Sequence, residues 1–169
     1  NLIARNSQGA LRDALSILDQ CISFSDNKIE YKDAVELLGT VNIEQLFEMA
    51  QSIIDQDTKK SLQILNEFVV WGKDIRNLIN DLIDHFRNLM VCKNPETLNL
   101  LEVSDENKQL FLVQAQKLPI SLLIAGINLA NDCDLKFKTS QNQRLMVELC
   151  LMQLASLTQM DEKKNLIGS

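Results

Sequence analysis

The stretch "NDLIDHF" places Asp81, Asp84 and His85, the single histidine of the chain, within about one helical turn. Two carboxylates beside an imidazole are metal-ligand types. A helical metallohydrolase, however, needs several His and Asp ligands converging from different helices, and one histidine does not supply them. His85 therefore reads as a boundary histidine on an amphipathic helix, with a hydrolase built on Asp81, Asp84 and His85 as a remote alternative. Nucleophilic catalysis finds no support either: there is no nucleophile elbow to go with the histidine. The phosphate-loop pattern G-x-x-x-x-G-K-[ST] and the dinucleotide fingerprint are missing from these 169 residues. No catalytic residue and no metal ligand is assigned.

Two further kinds of residue carry chemistry. Cys21, Cys92, Cys133 and Cys150 form no C-x-x-C pair, and each lies beside apolar residues. They read as reduced, buried thiols rather than zinc ligands or disulfide partners. Arg144 and Glu148 interrupt the apolar run "NQRLMVELCLMQLASL". A buried carboxylate needs a partner, and the spacing of four allows an internal helix pair. It equally allows a contact with another subunit, so both residues are subunit-interface candidates. Near the start, Arg12 and Asp13 stand together in "GALRDALSILDQ". An isolated Arg-Asp dipeptide is ordinarily a solvated pair.

These side chains are positioned by a succession of helices. The first spans about Ser7 to Phe24, with Leu11, Leu15, Leu18 and Ile22 at helical spacing. A short one follows near Lys32 to Leu38, stopped by Gly39. Asn42 caps the third, with Gln45 placed for a capping box and Ile43, Leu46, Phe47, Ala50, Ile53 and Ile54 on its apolar face. The fourth carries Leu62, Leu65, Phe68 and Val69 and stops at Gly72. Asp74 caps the fifth, which has the cleanest stripe: Ile75, Leu78, Ile79, Leu82, Ile83, Phe86, Leu89 and Met90. Arg76, Asn80, Asp84, Arg87 and Asn88 lie mostly outside it. A helical turn after Pro95, a helix from about Asp105 to Lys117, and one from Pro119 to near Asp134 come next. "LKFKTSQNQ" reads as an extended connection. Ser140 opens the last helix, which is apolar nearly all round and is expected to be the most buried. The tail from Thr158 to Ser169 is polar and is expected to fray. The fold class is all-α, a helical bundle.

Composition narrows the function further. Hydrophobic residues make up 46% and aromatics 5%, with five glycines and two prolines, which favours helix over sheet. A net charge of −6 argues against a chain that grips nucleic acid by itself. No apolar run approaches the roughly 20 residues that span a bilayer, and "NLIARNSQGA" is not a signal peptide. A cytoplasmic protein with no membrane partner is expected.

The motif G-x-L-R-D-A-L-S-x-L-D-Q, Gly9 to Gln20, resembles the last lid helix of clamp-loader ATPases of the AAA+ class, most closely the gamma/tau subunits of bacterial DNA polymerase III. "VELLGTVNIEQLFEMAQSII", "GKDIRNLINDLIDHFRNLM" and "NQRLMVELCLMQLASL" are similar to later segments of that family, in the same order. The resemblance implies a fragment in three parts: the lid's last helix over 1–25, a helical collar domain over 26–157 and a flexible tail over 158–169. It implies that Arg12 is the sensor 2 arginine, which in the intact subunit reaches the nucleotide phosphates. ATP and Mg would belong to the parent chain, a subunit of the polymerase holoenzyme with AAA+ ATPase activity. The fragment itself would hold no cofactor and would be no enzyme. The implied partners are other gamma/tau copies and the delta and delta-prime subunits. Sliding clamp and primed DNA would be reached only through the missing ATPase domains, during DNA replication. The implied function is oligomerisation. The rival reading is a free-standing helical adaptor unrelated to ATPases.

Overall fold

The computed structural model describes residues 42–167 and, ahead of them, four helical positions: Leu15, Leu18, Asp19 and Ile22. Of the residues from 42 on, side chains are described through Leu157. Arg12, Asp13, Cys21 and the short helix expected at Lys32–Leu38 lie outside the described residues. The described elements are α1 (Ile43–Ile54), α2 (Thr58–Val70), α3 (Ile75–Val91), a 3-10 turn (Pro95–Leu100), α4 (Asp105–Ala115), α5 (Ile120–Phe137) and α6 (Gln143–Ile167). There is no strand among the described residues. The chain is the all-α bundle its composition predicts.

Short polar side chains start most of these helices, because the first N–H groups of a helix have no partner within it. Asn42 Oδ1 accepts from the Glu44 N–H at 3.3 Å, Asp57 Oδ1 from Lys60 at 2.9 Å and Asp74 Oδ1 from Arg76 at 2.8 Å. The capping box expected from Gln45 is not made: Gln45 Oε1 instead accepts from Lys73 Nζ at 3.4 Å. The cap of α6 is Asn142, whose Oδ1 accepts from the Leu145 N–H at 3.0 Å, rather than the expected Ser140. Ser140 holds the link one step earlier, its Oγ accepting from the Asn142 N–H at 3.2 Å.

Two helices end in the same way. At the end of α2 the Lys73 N–H donates to Phe68 O at 3.0 Å and the Gly72 N–H to Val69 O at 3.1 Å. This six-to-one plus five-to-two pattern requires a left-handed residue, and Gly72 takes φ +68° at no steric cost. At the end of α1 the Asp57 N–H donates to Ser52 O and the Gln56 N–H to Ile53 O, the identical arrangement. Here the left-handed position is Gln56, at φ 60°. A Cβ there costs about 1 kcal/mol. Gln56→Gly is therefore expected to raise the free energy of unfolding by up to about 1 kcal/mol, offset in part by the greater freedom of glycine in the unfolded chain. Urea unfolding checks this; a lower midpoint would contradict it.

The core forms where α3 and α5 lie against each other and α6 closes over them. Leu78, Ile79, Leu82, Phe86 and Leu89 of α3 are buried, as are Leu123, Ala130, Cys133 and Phe137 of α5. Gly126 permits the approach: a Cβ at that position would stand 3.2 Å from Phe86 Cε2. From α6 come Val147, Cys150, Leu151, Leu154 and Ala155. Arg76, on the polar side of the α3 stripe, spans the gap to α5. Its Nε and Nη2 donate to Asp134 Oδ1 and Oδ2 at 2.7 and 3.1 Å, the forked geometry that pins two helices in register.

Several expected boundaries move. α4 ends at Ala115, short of Lys117. α5 runs on past Asp134 to Phe137, so Leu135, Lys136 and Phe137 of the expected extended connection are helix and residues 138–142 alone link α5 to α6. α6 continues to Ile167, past Leu157, and so includes most of the expected tail. The buried face of α2 is Ser61, Ile64, Leu65 and Phe68, while Leu62 and Val69 are half-buried. Ser61 reaches a core position because its hydroxyl lies 2.8 Å from that of Ser52, and Ser52 Oγ also lies 2.7 Å from Met49 O. A satisfied hydroxyl pair is tolerated in a core where a single one is costly.

Candidate interaction face and the predicted site residues

The apolar surface of the last helix is too wide for one buried face, and the helix is covered on one side only. Val147 and Leu151 are fully buried, but Leu145 and Leu149, four residues apart on one face, are each 47% exposed. One position back on the same helix, Arg144 Nε donates to Glu148 Oε1 at 2.8 Å. Arg144 Nη2 donates to Asn66 Oδ1 of α2 at 3.1 Å. The two sequence-predicted interface residues are thus brought together, as an internal i,i+4 pair that also ties α6 to α2. They sit in a shallow groove of about 850 Å³ between these helices, whose other walls include Lys59, Leu62 and Glu67. The groove presents both signs of charge beside an apolar pair.

His85 is not at a boundary. It is buried, with 1% of its surface exposed. Its ring stands edge-on to Phe47, centroids 4.7 Å apart, and tilted against Phe111 at 4.8 Å. Gln114 of α4 explains how an imidazole can sit there. The Gln114 amide donates to Phe47 O at 3.1 Å, which turns its Oε1 toward His85 Nε2 at 2.6 Å. An acceptor at that place requires the Nε2–H tautomer and leaves Nδ1 as a lone pair, buried without a hydrogen-bond partner. Burial pushes the histidine pKa down to about 4, with the Gln114 hydrogen bond opposing. His85 is a neutral core residue. Among the described residues no group of three His, Cys, Asp or Glu side chains is placed to hold a metal ion.

Cys133 and Cys150 are buried and Cys92 is half-buried, all three as free thiols. Among the described residues no single helix is long and apolar enough to cross a membrane; α4 and α5 meet that length and composition together, but they meet at 107°.

Asn66, Gln114 and Asp134 escape a reading of the sequence. Each is a polar residue whose partner lies 29 to 78 positions away. Asp134 and Asn66 carry no local signal. Gln114 carries a faint one, a polar side chain within the otherwise apolar run "LFLVQA".

Comparison with known proteins gives a consistent picture. Residues 29–168 match the family described as DNA polymerase III subunits gamma and tau domain III. Residues 1–27 match the family described as the DNA polymerase III clamp loader subunit, ATPase lid domain. The chain is 29% identical over 153 residues to DNA polymerase III subunit tau of Bacillus subtilis, covering 90% of this chain and 27% of that protein. It is 25% identical to DNA polymerase III subunit gamma of Buchnera aphidicola subsp. Schizaphis graminum, covering 90% of this chain and 42% of the relative. The chain therefore spans less than half the length of either relative. In fold it is similar to the Bacillus subtilis DNA clamp loader delta protein, with a TM-score of 0.61 at 21% identity, over 91% of this chain and 49% of that one.

Proposed function

We propose that this chain, which belongs to the DNA polymerase III gamma and tau domain III family, is an assembly module through which one clamp-loader subunit joins its neighbours in a ring. In this reading residues 1–25 end the ATPase lid and the helical bundle from 26 onward is the collar. The partners are further gamma/tau copies and the delta and delta-prime subunits, in the cytoplasm. Nucleotide and Mg chemistry belongs to the part of the protein that precedes the lid.

One observation carries the proposal. α6 buries Val147, Cys150, Leu151 and Leu154 in the core and yet keeps Leu145 and Leu149 half-exposed, side by side, next to a groove of mixed charge. Apolar pairs rimmed by polar groups are the anatomy of a protein interface.

The test is the mass of the protein in solution, alone and with delta and delta-prime. The double change Leu145→Glu, Leu149→Glu is expected to weaken association at least about 30-fold, the effect of losing a central apolar anchor. Because both side chains are half-exposed, helicity and the urea midpoint should stay close to those of the parent. Unchanged association would remove this face from the interface, and loss of helicity would return both leucines to the core.

A further inference from the structure

We propose that the outer face of α5, built on Ile120 and Ile124, receives the Leu145 and Leu149 face of α6 from a second copy of this chain, so that copies join head to tail. The proposal rests on the assembly reading above and names the surface that the α6 face meets.

No charged residue stands between Lys117 and Asp132, so the first three turns of α5 are uncharged on every side. The core accounts for one side of them: Leu123, Gly126 and Ala130 are buried, as are Cys133 and Phe137 further on. It does not account for the other. Ile120 and Ile124 are 48% and 46% exposed, and Asn128 and Asn131 continue their row in water. Leu135, 75% exposed, ends it. At 3.6 residues per turn these five positions fall within about 80° of the helix circumference, on the side away from the buried row. Surface helices ordinarily place charged and polar side chains opposite the stripe that faces the core. A charge-free row with large aliphatic side chains has instead the composition of an interface centre, from which charged residues are depleted.

Symmetry points to the occupant. A ring of like subunits is held by heterologous contacts, in which each copy offers one patch to one neighbour and a different patch to the other. The α6 face supplies one patch, and the α5 row supplies another on a different helix. Their shapes match. Ile120 with Ile124, and Leu145 with Leu149, are each spaced by four residues and form a ridge about 6 Å long. Ridges of that kind interdigitate in the commonest helix crossing of globular proteins. Their charges match as well. The far end of the α5 row is bordered by Asp132 and Lys136, both exposed. The α6 face is bordered by the groove that holds Lys59 and Arg144 with Glu67 and Glu148. Both signs on both sides favour one relative orientation and oppose the reversed one, which fixes the direction in which copies join.

The test mixes two blocked chains. One carries Leu145→Glu and Leu149→Glu, the other Ile120→Glu and Ile124→Glu, so each keeps one intact face. By native mass and sedimentation, each alone is expected to associate at least about 30-fold more weakly than the parent. Mixed in equal amounts, they should regain that loss and form a one-to-one pair and nothing larger, because the second face of each is blocked. Parent-strength association of the α5 variant by itself would show that α6 faces pair with each other and would overturn the proposal. A mixture that stays monomeric would overturn it too. A parent chain that stays monomeric also overturns it, whereas the assembly reading falls only if delta and delta-prime leave the chain monomeric as well. If the α5 variant loses helicity, a photoreactive residue placed at Leu149 in the otherwise unaltered chain decides. With light and heavy chains mixed, it is expected to capture a peptide from the stretch Ile120–Asn131 of the other chain. Capture of any other peptide, or no capture between chains, overturns the proposal.

Discussion

Between pH 6.5 and pH 4 the helical bundle is expected to lose about 3 kcal/mol of stability to His85 alone. The folded chain holds this imidazole neutral, with its pKa near 4, while the unfolded chain protonates it near the ordinary 6.5. Below 6.5 the unfolded state binds a proton that the folded state refuses, so stability falls with pH. The contribution is complete above 6.5, declines through the window and is gone once the folded group is itself protonated below 4. The cause is local. The ring is walled by Phe47 and Phe111, Nε2 already donates to Gln114, and Nδ1 has no acceptor to receive a new N–H. His85→Gln keeps an amide that can donate toward Gln114 but cannot titrate. It is expected to cost about 1–2 kcal/mol at pH 7, through lost packing against two aromatic rings, and to flatten the pH dependence over that window. Urea unfolding at several pH values between 4 and 8 checks both effects. A variant with the same slope as the parent would show that the titrating group is elsewhere.

His85 also shows what a sequence can and cannot reveal. The stripe from Ile75 to Met90 is legible because helical periodicity needs no knowledge of partners, and the residues it places in the core are largely those that α3 buries. That stripe passes His85 over, because a polar side chain inside an apolar face is decided by its partner. Here the partner, Gln114, lies on another helix. Ser52 and Ser61 follow the same logic: each reads as a polar edge of its helix until the other hydroxyl is seen. Caps are legible when the capping residue is the sole polar candidate, as at Asn42 and Asp74. The start of α6 is harder. Ser140 and Asn142 both qualify, and the choice depends on where α5 ends. α5 ends at Phe137, three residues past Asp134. The spacing of four makes Arg144 and Glu148 neighbours on one helix, but Asn66 and the groove beside them follow from how α2 crosses α6. That the last helix has more apolar surface than one core face can cover is legible in the sequence, but which of its leucines stay half-exposed, Leu145 and Leu149, depends on the packing of the other helices.

The change with the largest functional effect is expected at Arg12, in the intact subunit rather than in this chain. Arg12 lies outside the described residues, and its role rests on the motif "GALRDALSILDQ" together with the match of residues 1–27 to the clamp-loader lid domain. A guanidinium keeps its charge at every physiological pH and forks onto phosphate oxygens. We propose that, carried on a lid helix in the intact subunit, it would convert the presence of a nucleotide phosphate into a force that closes the lid. A charged contact of this kind in a partly closed site contributes on the order of 2–4 kcal/mol. Arg12→Ala should therefore reduce clamp loading by the intact subunit by roughly tens- to hundreds-fold. Arg12→Lys should recover only part of the loss, because an ammonium cannot form the paired fork. Ring assembly should be unaffected in both variants, since the assembly face is assigned to α6. In the chain described here the same changes should leave the melting temperature in place, and ATP should not shift it. Loading assays, native mass and thermal unfolding separate these effects. Parent-like ATP response in the intact Arg12→Ala subunit would remove Arg12 from nucleotide sensing, and saturable ATP binding by this chain would show that the nucleotide site had been placed in the wrong part of the protein.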